Sequence, residues 1–174
     1  MATLPDGLDW DIRAATRADL STLVALRQRV GWSSGGLDAG FATVEAGRQL
    51  VLLAESQSRL VGACAVTFHV GGGRGRAHVS DLLVDPDWRR RGIATALLDA
   101  AEDAARQRGH VECTLDVDAH NSAALALYLG RGYRHHRPAY FPWGPGYTLK
   151  KPLVQRPPAA RRPFWRFWAR SDGS

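Results

Sequence analysis

The segment of this 174-residue chain best suited to hold an anion is Arg89-Arg90-Arg91-Gly92-Ile93-Ala94. It follows a mostly apolar run, His78 to Val84, too short for a buried helix and suited to a covered strand. Asp85-Pro86-Asp87 stops that run, because Pro86 has no N–H to donate and pushes Asp85 away from helical angles. From Ile93 the apolar period becomes helical: Ile93, Ala96, Leu97, Ala100, Ala101 and Ala104 form one stripe, and Gly109 stands where a left-handed cap would end it. A helix start exposes N–H groups without intrahelical partners at the positive end of the dipole. Gly92 lets backbone approach a ligand closely, Ala94 keeps its position small, and three arginines add charge-assisted donors. A pyrophosphate is the expected occupant.

A second set of reactive groups lies 30 or so residues on. In Val111 to Asp118, apolar Val111, Cys113, Leu115 and Val117 alternate with Glu112, Thr114, Asp116 and Asp118, so the acids share one face of a strand. Asn121 is a good N-cap for the helix that follows, and Tyr128, two turns later, lies on the same face as Asn121. Asp81, His78 and His120 are further groups able to take a proton. The histidines lack metal-ligand spacing, and no metal is expected.

The phosphate loop ends without Gly-Lys-Ser/Thr and lacks Gly-x-Gly-x-x-Gly, which argues against a triphosphate or dinucleotide site. Arg89-x-x-Gly92-x-Ala94, set between strand and helix, instead resembles the acyl-CoA-binding loop of the GNAT N-acetyltransferase family. The run Leu115-Asp116-Val117-Asp118-Ala119-His120-Asn121-Ser122-Ala123-Ala124, with Tyr128 and Gly132-Tyr133, resembles that family's second motif. Its form is closest to enzymes acetylating protein N-termini, those of ribosomal proteins among them. The resemblance implies acetyl-CoA as co-substrate, bound by Leu82, Leu83, Val84, Arg89, Arg90, Arg91, Gly92, Ile93, Ala94, Asn121 and Tyr128. It implies that Tyr128 protonates the departing thiolate and that Asp116 stands where such enzymes carry a base; Asp81, His78 and His120 compete with it by residue type. A backbone N–H near Leu82-Leu83-Val84 would steady the oxyanion. The expected reaction is direct transfer of acetyl to a primary amine, a protein N-terminus or a small molecule. A non-catalytic acyl-CoA-binding module is the alternative. Gly130 and Arg131 depart from the family pattern at the end of the Tyr128 helix.

The elements that must hold these groups can be read in order. Asp11 to Ala15 is a short strand, and Thr16 with Asp19 makes a capping-box-like start to a helix ending at Gly31. Arg27 interrupts that helix's apolar stripe. Leu37 to Arg48 reads as a second helix, with Trp32 and Phe41 as core aromatics. Leu50 to Glu55 and Leu60 to Val70 read as a hairpin, with a glycine-rich tip at 71–76 before the central strand. Arg134 to Tyr140 and Tyr147 to Lys151 close the sheet around a loop over 141–146. The sum is an α/β domain over residues 8–152: a GNAT-like mixed, mostly antiparallel central sheet flanked by helices.

Charge is unevenly placed. Residues 1–149 hold 16 arginines against 16 acids, whereas residues 150–174 hold seven basic residues against Asp172 alone, so the whole net charge of +6 sits at the C-terminus. A neutral domain argues against a basic nucleic-acid binder. The tail, residues 153–174, interleaves Phe164, Trp165, Phe167 and Trp168 with arginines after a Pro-rich linker, and contact with an anionic surface is one reading of it. The first residues lack a basic-then-apolar pattern and the two cysteines are isolated, which leads to the expectation of a cytoplasmic protein.

Overall fold

The computed structural model describes residues 9–33, 37–69, 75–142 and 144–153. The basic aromatic tail beyond 153 and most of the glycine-rich hairpin tip lie outside the described residues. Among the described residues, seven strands form one sheet: β1 (Asp11–Ala14), β2 (Gln49–Ser56), β3 (Arg59–Phe68), β4 (Arg76–Val84), β5 (Glu112–Asp118), β6 (Arg134–Phe141) and β7 (Gly144–Pro152). Four α-helices cover it: α1 (Leu20–Arg29), α2 (Leu37–Glu45), α3 (Ile93–Gln107) and α4 (Ser122–Gly130). The strand order is β1-β2-β3-β4-β5-β7-β6, and only β4 and β5 run parallel. This is the mixed, mostly antiparallel sheet expected.

Alternation along the strands sends apolar side chains to both faces, so both must be covered. On one face Leu97, Leu98, Ala101 and Ala105 of α3 pack with Val61, Val79, Leu115 and Leu149, and Tyr128 of α4 joins that cluster. On the other, Leu23 and Leu26 of α1 and Phe41 of α2 cover Val51, Leu53, Ala63 and Ala65. The two faces meet different chemistry, as the site shows.

Local signals decide most element ends. Gly109 is left-handed and closes α3, with His110 N donating to Ala105 O at 3.0 Å. Gly132 does the same for α4, with Tyr133 N donating to Tyr128 O at 3.0 Å, so Gly130 is the helix's last residue rather than its breaker. Arg131, unusual there by sequence, pairs with Asp99 of α3 and ties the two helices together. The closing turn is tighter than expected: Phe141 pairs with Gly144, because Gly144 to Gly146 enter β7 instead of a loop. No Cβ fits at Gly146, where it would run into Val117 O and the Phe141 ring.

Thr16 N donates to Asp19 Oδ2 at 2.7 Å, and a 3-10 turn over Arg17–Asp19 leads into α1. Arg13 binds both carboxylate oxygens of Asp19, at 2.6 and 2.9 Å. Chiefly through that pairing, and against the cost of burial, the Asp19 carboxyl is lowered to about 2. A lowered carboxylate stabilises the fold above its unfolded value near ~4, and that contribution is lost as pH falls through about 2. Asp19→Asn should therefore cost about 1–2 kcal/mol at pH 7, allowing for solvent screening. The gap from wild type should close between about pH 4 and pH 2 in denaturant melts; a gap independent of pH would refute the assignment.

Candidate active site

The site is made by a parting of strands. β4 and β5 pair from Arg76↔Glu112 to Val79↔Leu115 and no further. The reason is in β4, where Ala63 of β3 faces Leu83 and Ala65 faces Ser80, leaving one extra residue opposite Cys64. That bulge places Asp81 at φ 52, a left-handed angle for a non-glycine residue, and it swings the strand end away from β5. Past it, Leu82 packs with the α3-side cluster and Leu83 with the α1 side.

The chain after β4 is anchored before it turns. Asp85, 1% exposed, accepts from Arg29 of α1 at 2.8 Å and from Arg59 of β3 at 3.0 Å, and caps a 3-10 turn at Asp87 N. Burial works against its charge, but the two arginines outweigh it and hold the Asp85 carboxyl below the usual carboxylate range. Arg29 and Arg59 were not singled out by the sequence, since a surface arginine has no pattern that names its partner.

Arg90 (φ 63) and Gly92 (φ 79) are both left-handed, which curls the loop before α3. The first intrahelical bond is Ala96 N to Gly92 O at 3.0 Å, so the N–H groups of Ile93, Ala94 and Thr95 have no carbonyl partner within the helix. Nothing lies within 4 Å of a Cβ built on Gly92. Its backbone angle, rather than crowding by protein atoms, is what calls for glycine. Ile93's side chain is 1% exposed and turned into the core, which leaves its N–H as its contribution.

The close approach occurs at Gly62 of β3, which the sequence reading passed over. A Cβ there would stand 2.9 Å from Ile93 Cγ2 and 3.2 Å from Leu97 Cδ1. Gly62 therefore seats the first turn of α3 against the sheet. Gly62→Val should lift that turn, costing about 1–3 kcal/mol and several degrees in Tm. It should also weaken CoA binding; a variant that melts early yet binds CoA as wild type would separate the packing from the loop.

A cleft of about 780 Å³ joins these parts. Leu82, Leu83, Val84, Arg89, Arg90, Gly92, Ile93, Ala94, Asn121 and Tyr128 all line it, so ten of the expected site residues converge. Asn121 Oδ1 is already engaged as N-cap of α4, accepting from Ala124 N at 3.1 Å, which leaves its amide N–H groups toward the cleft. Tyr128 is 8% exposed, and burial pushes its phenol up, so it carries its proton throughout the physiological range. Trp32 is 41% exposed and lines the cleft mouth, under the Arg27 guanidinium at 5.5 Å. It is not the core aromatic expected, whereas Phe41, 2% exposed, is.

Two expected residues lie elsewhere. Arg91 is not among the residues lining the cleft; its guanidinium sits 5.1 Å above the Trp88 ring. Asp116 points to the opposite face of β5 from the core residues Leu115 and Val117, which side with Tyr128. Asp116 and Tyr128 can thus meet one substrate only through the gap between β4 and β5. Near that gap on the α1 face is a second cavity of about 180 Å³, lined by Arg27, Asp81, Gln49 and Phe41 among others. Arg27 pairs with Asp81 at 3.3 Å, which explains why a charged residue interrupts the α1 stripe. His120, a competitor for the base, is largely exposed beside Asp118 at 3.2 Å.

Residues 17–133 match the acetyltransferase (GNAT) family. A mycothiol acetyltransferase of Clavibacter sepedonicus is 42% identical over 88 residues, covering 49% of this chain and 27% of the relative. A [ribosomal protein bS18]-alanine N-acetyltransferase of Salmonella typhimurium is 38% identical over 73 residues, covering 41% of this chain and 49% of the relative. The chain thus spans half or less of the length of these relatives. Among solved structures, the PaiA N-acetyltransferase of Thermoplasma acidophilum in complex with coenzyme A superposes with TM-score 0.70 at 21% identity, covering 83% of this chain and 99% of that one. At that identity the likeness is one of fold.

Proposed function

The chain belongs to the acetyltransferase (GNAT) family, and from that premise we propose that it transfers acetyl from acetyl-CoA to a primary amine, a protein N-terminus or a small molecule. One observation carries the reading: orphan N–H groups at the start of α3 and the protonated Tyr128 phenol open onto the same cleft, at the bulged end of β4. The residues present fit the co-substrate. Left-handed Arg90 and Gly92 curl the loop into the start of α3, whose N–H groups at 93–95 lack helix partners, Arg89 and Arg90 add positive charge, and Asn121 offers donors across the cleft. When bound, acetyl-CoA supplies an activated thioester carbonyl. Tyr128 then gives its proton to sulfur as charge develops there, and an N–H of the unpaired β4 end steadies the oxyanion. Asp116, on the other side of the gap, attracts the protonated amine.

The two relatives are named for mycothiol and for the alanine of a ribosomal protein, so peptides with an N-terminal alanine and simple alkyl amines are the acceptors to assay first. Mass-spectrometric detection of acetylated product with acetyl-CoA consumption tests the reading. Tight CoA binding with no product on any amine would replace it with a non-catalytic acyl-CoA-binding module. A cytoplasmic setting fits the two buried thiols, Cys64 and Cys113, whose pKa values burial raises. On this reading every group the reaction uses lies within residues 8–152, so removal of residues 154–174 should leave the dissociation constant for CoA unchanged in a calorimetric titration.

A further inference from the structure

Three side chains on the open face of β4 and β5 are arranged more closely than a solvated sheet surface needs. His78 and Thr114 are register partners across the parallel pair, with His78 Nδ1 3.0 Å from Thr114 Oγ1. Thr114 Oγ1 donates its one proton to Ala77 O at 3.2 Å. Both contacts are satisfied together when Thr114 accepts from His78, the tautomer with the ring proton on Nδ1 and the lone pair on Nε2. Nε2 faces Asp116 Oδ2 at 4.0 Å. The other Asp116 oxygen accepts from Thr148 of β7 at 2.6 Å, which fixes the carboxylate. Two acceptors thus confront each other, and among the described residues no donor reaches either. His78 and Asp116 remain reachable, with side chains 25% and 39% exposed. Burial lowers the His78 pKa and the nearby Asp116 charge opposes this, with burial the larger effect, so the imidazole is neutral at physiological pH.

From this geometry we propose that the acceptor docks as an ammonium between His78 Nε2 and Asp116 Oδ2, and that His78 is the group that takes its proton. A nitrogen placed between two acceptors 4.0 Å apart reaches both at ordinary hydrogen-bond length, about 2.8 Å. Asp116 supplies the attraction for the cation. Thr114 and Thr148 are positioning residues. Asp116 lies one residue past the last β4–β5 pair, where the strands part, and about 7 Å along β4 from Leu82.

The step balances, and it rests on the acetyltransferase reading above. One ammonium proton passes to Nε2, giving imidazolium and a neutral amine. The amine lone pair forms the C–N bond at the thioester carbonyl as the C–S bond breaks. The departing thiolate takes the Tyr128 hydroxyl proton, and the proton shed by the new amide nitrogen restores Tyr128. Imidazolium releases its proton to water, so each transfer liberates one.

The test uses the full chain, His78→Gln and two acceptors at pH 7: an alkyl amine, almost wholly ammonium, and methoxyamine, already neutral. For His78→Gln, kcat/KM on the alkyl amine should fall about 100-fold or more, and on methoxyamine by less than about fivefold. Asp116→Asn should raise KM for the alkyl amine about tenfold while leaving that for methoxyamine near wild type. Equal losses on both acceptors would mean a structural role and would overturn the assignment. Wild-type rates in His78→Gln would overturn it too and leave the acetyltransferase reading standing. A wild-type protein that acetylates neither amine sinks both. Nitrogen-15 NMR of the unaltered protein gives an independent reading: the His78 ring should carry its proton on Nδ1, and a proton on Nε2 contradicts the proposal.

Discussion

Tyr128→Phe should lose between about 100- and 10,000-fold in kcat while binding CoA within about threefold of wild type. The substitution removes one oxygen and keeps the ring, and the ring is what the fold uses. Tyr128 is 8% exposed, belongs to the α3-side core and meets Tyr133 edge-on with centroids 6.0 Å apart. Stability should therefore change little, and the kinetic loss cannot be assigned to unfolding. Burial raises the phenol's pKa, so the proton it donates is present throughout the working range, and no alkaline loss of activity should arise from Tyr128 below about pH 10. Steady-state rates with a thiol-detecting assay, beside a CoA titration, read both quantities. A Tyr128→Phe enzyme with undiminished kcat would move the proton donor elsewhere in the cleft.

Gly92→Val should weaken CoA binding by about 100-fold or more and leave the domain folded. Gly92 has φ 79, where a β-branched residue is strained by roughly 1–2 kcal/mol, so the loop will adopt another path. Nothing stands within 4 Å of the new Cβ, so the cost falls on loop shape rather than on the core. A changed path redirects the backbone that leads into the N–H groups of Ile93, Ala94 and Thr95 at the start of α3. Two charge-assisted hydrogen bonds lost at about 1.5–3 kcal/mol each account for the expected factor. Calorimetry on the variant, with circular dichroism to confirm the fold, decides it. Wild-type affinity would show that the pyrophosphate does not sit at the start of α3.

Both expectations were open to the sequence because they depend on local order. Strand, stop, arginines, glycine and helix stripe are consecutive, and each acts on its neighbours within one or two turns. The same holds for Asn121 and Tyr128, seven residues apart on one short helix. Element types were legible for the same reason: β2 and β3 alternate or run apolar, and the α3 stripe recurs at helical spacing into the core. Where the reading missed, a distant contact had the final say. Trp32 looked like a core aromatic because its hydrophobicity is local information, yet it stands 41% exposed at the cleft, where distant parts of the chain meet. Arg27 looked like a flaw in a stripe until Asp81, 54 residues away, supplied its partner.

The sequence by itself determined the family resemblance, the order of the elements and the local placing of the 89–94 loop and of Tyr128, since each rests on neighbours in the chain. Only the tertiary structure decided the rest. The bulge at Asp81 parts β4 from β5, which depends on the register of three strands. Gly62 matters through a helix that begins 31 residues later. Asp116 and Tyr128, twelve residues apart in one motif, fall on opposite faces of the sheet because strand alternation and the helix crossover carry them there. And His78 joins Asp116 across 38 residues of chain because β4 and β5 run parallel, bringing together an acid and a base that no spacing in the sequence could pair.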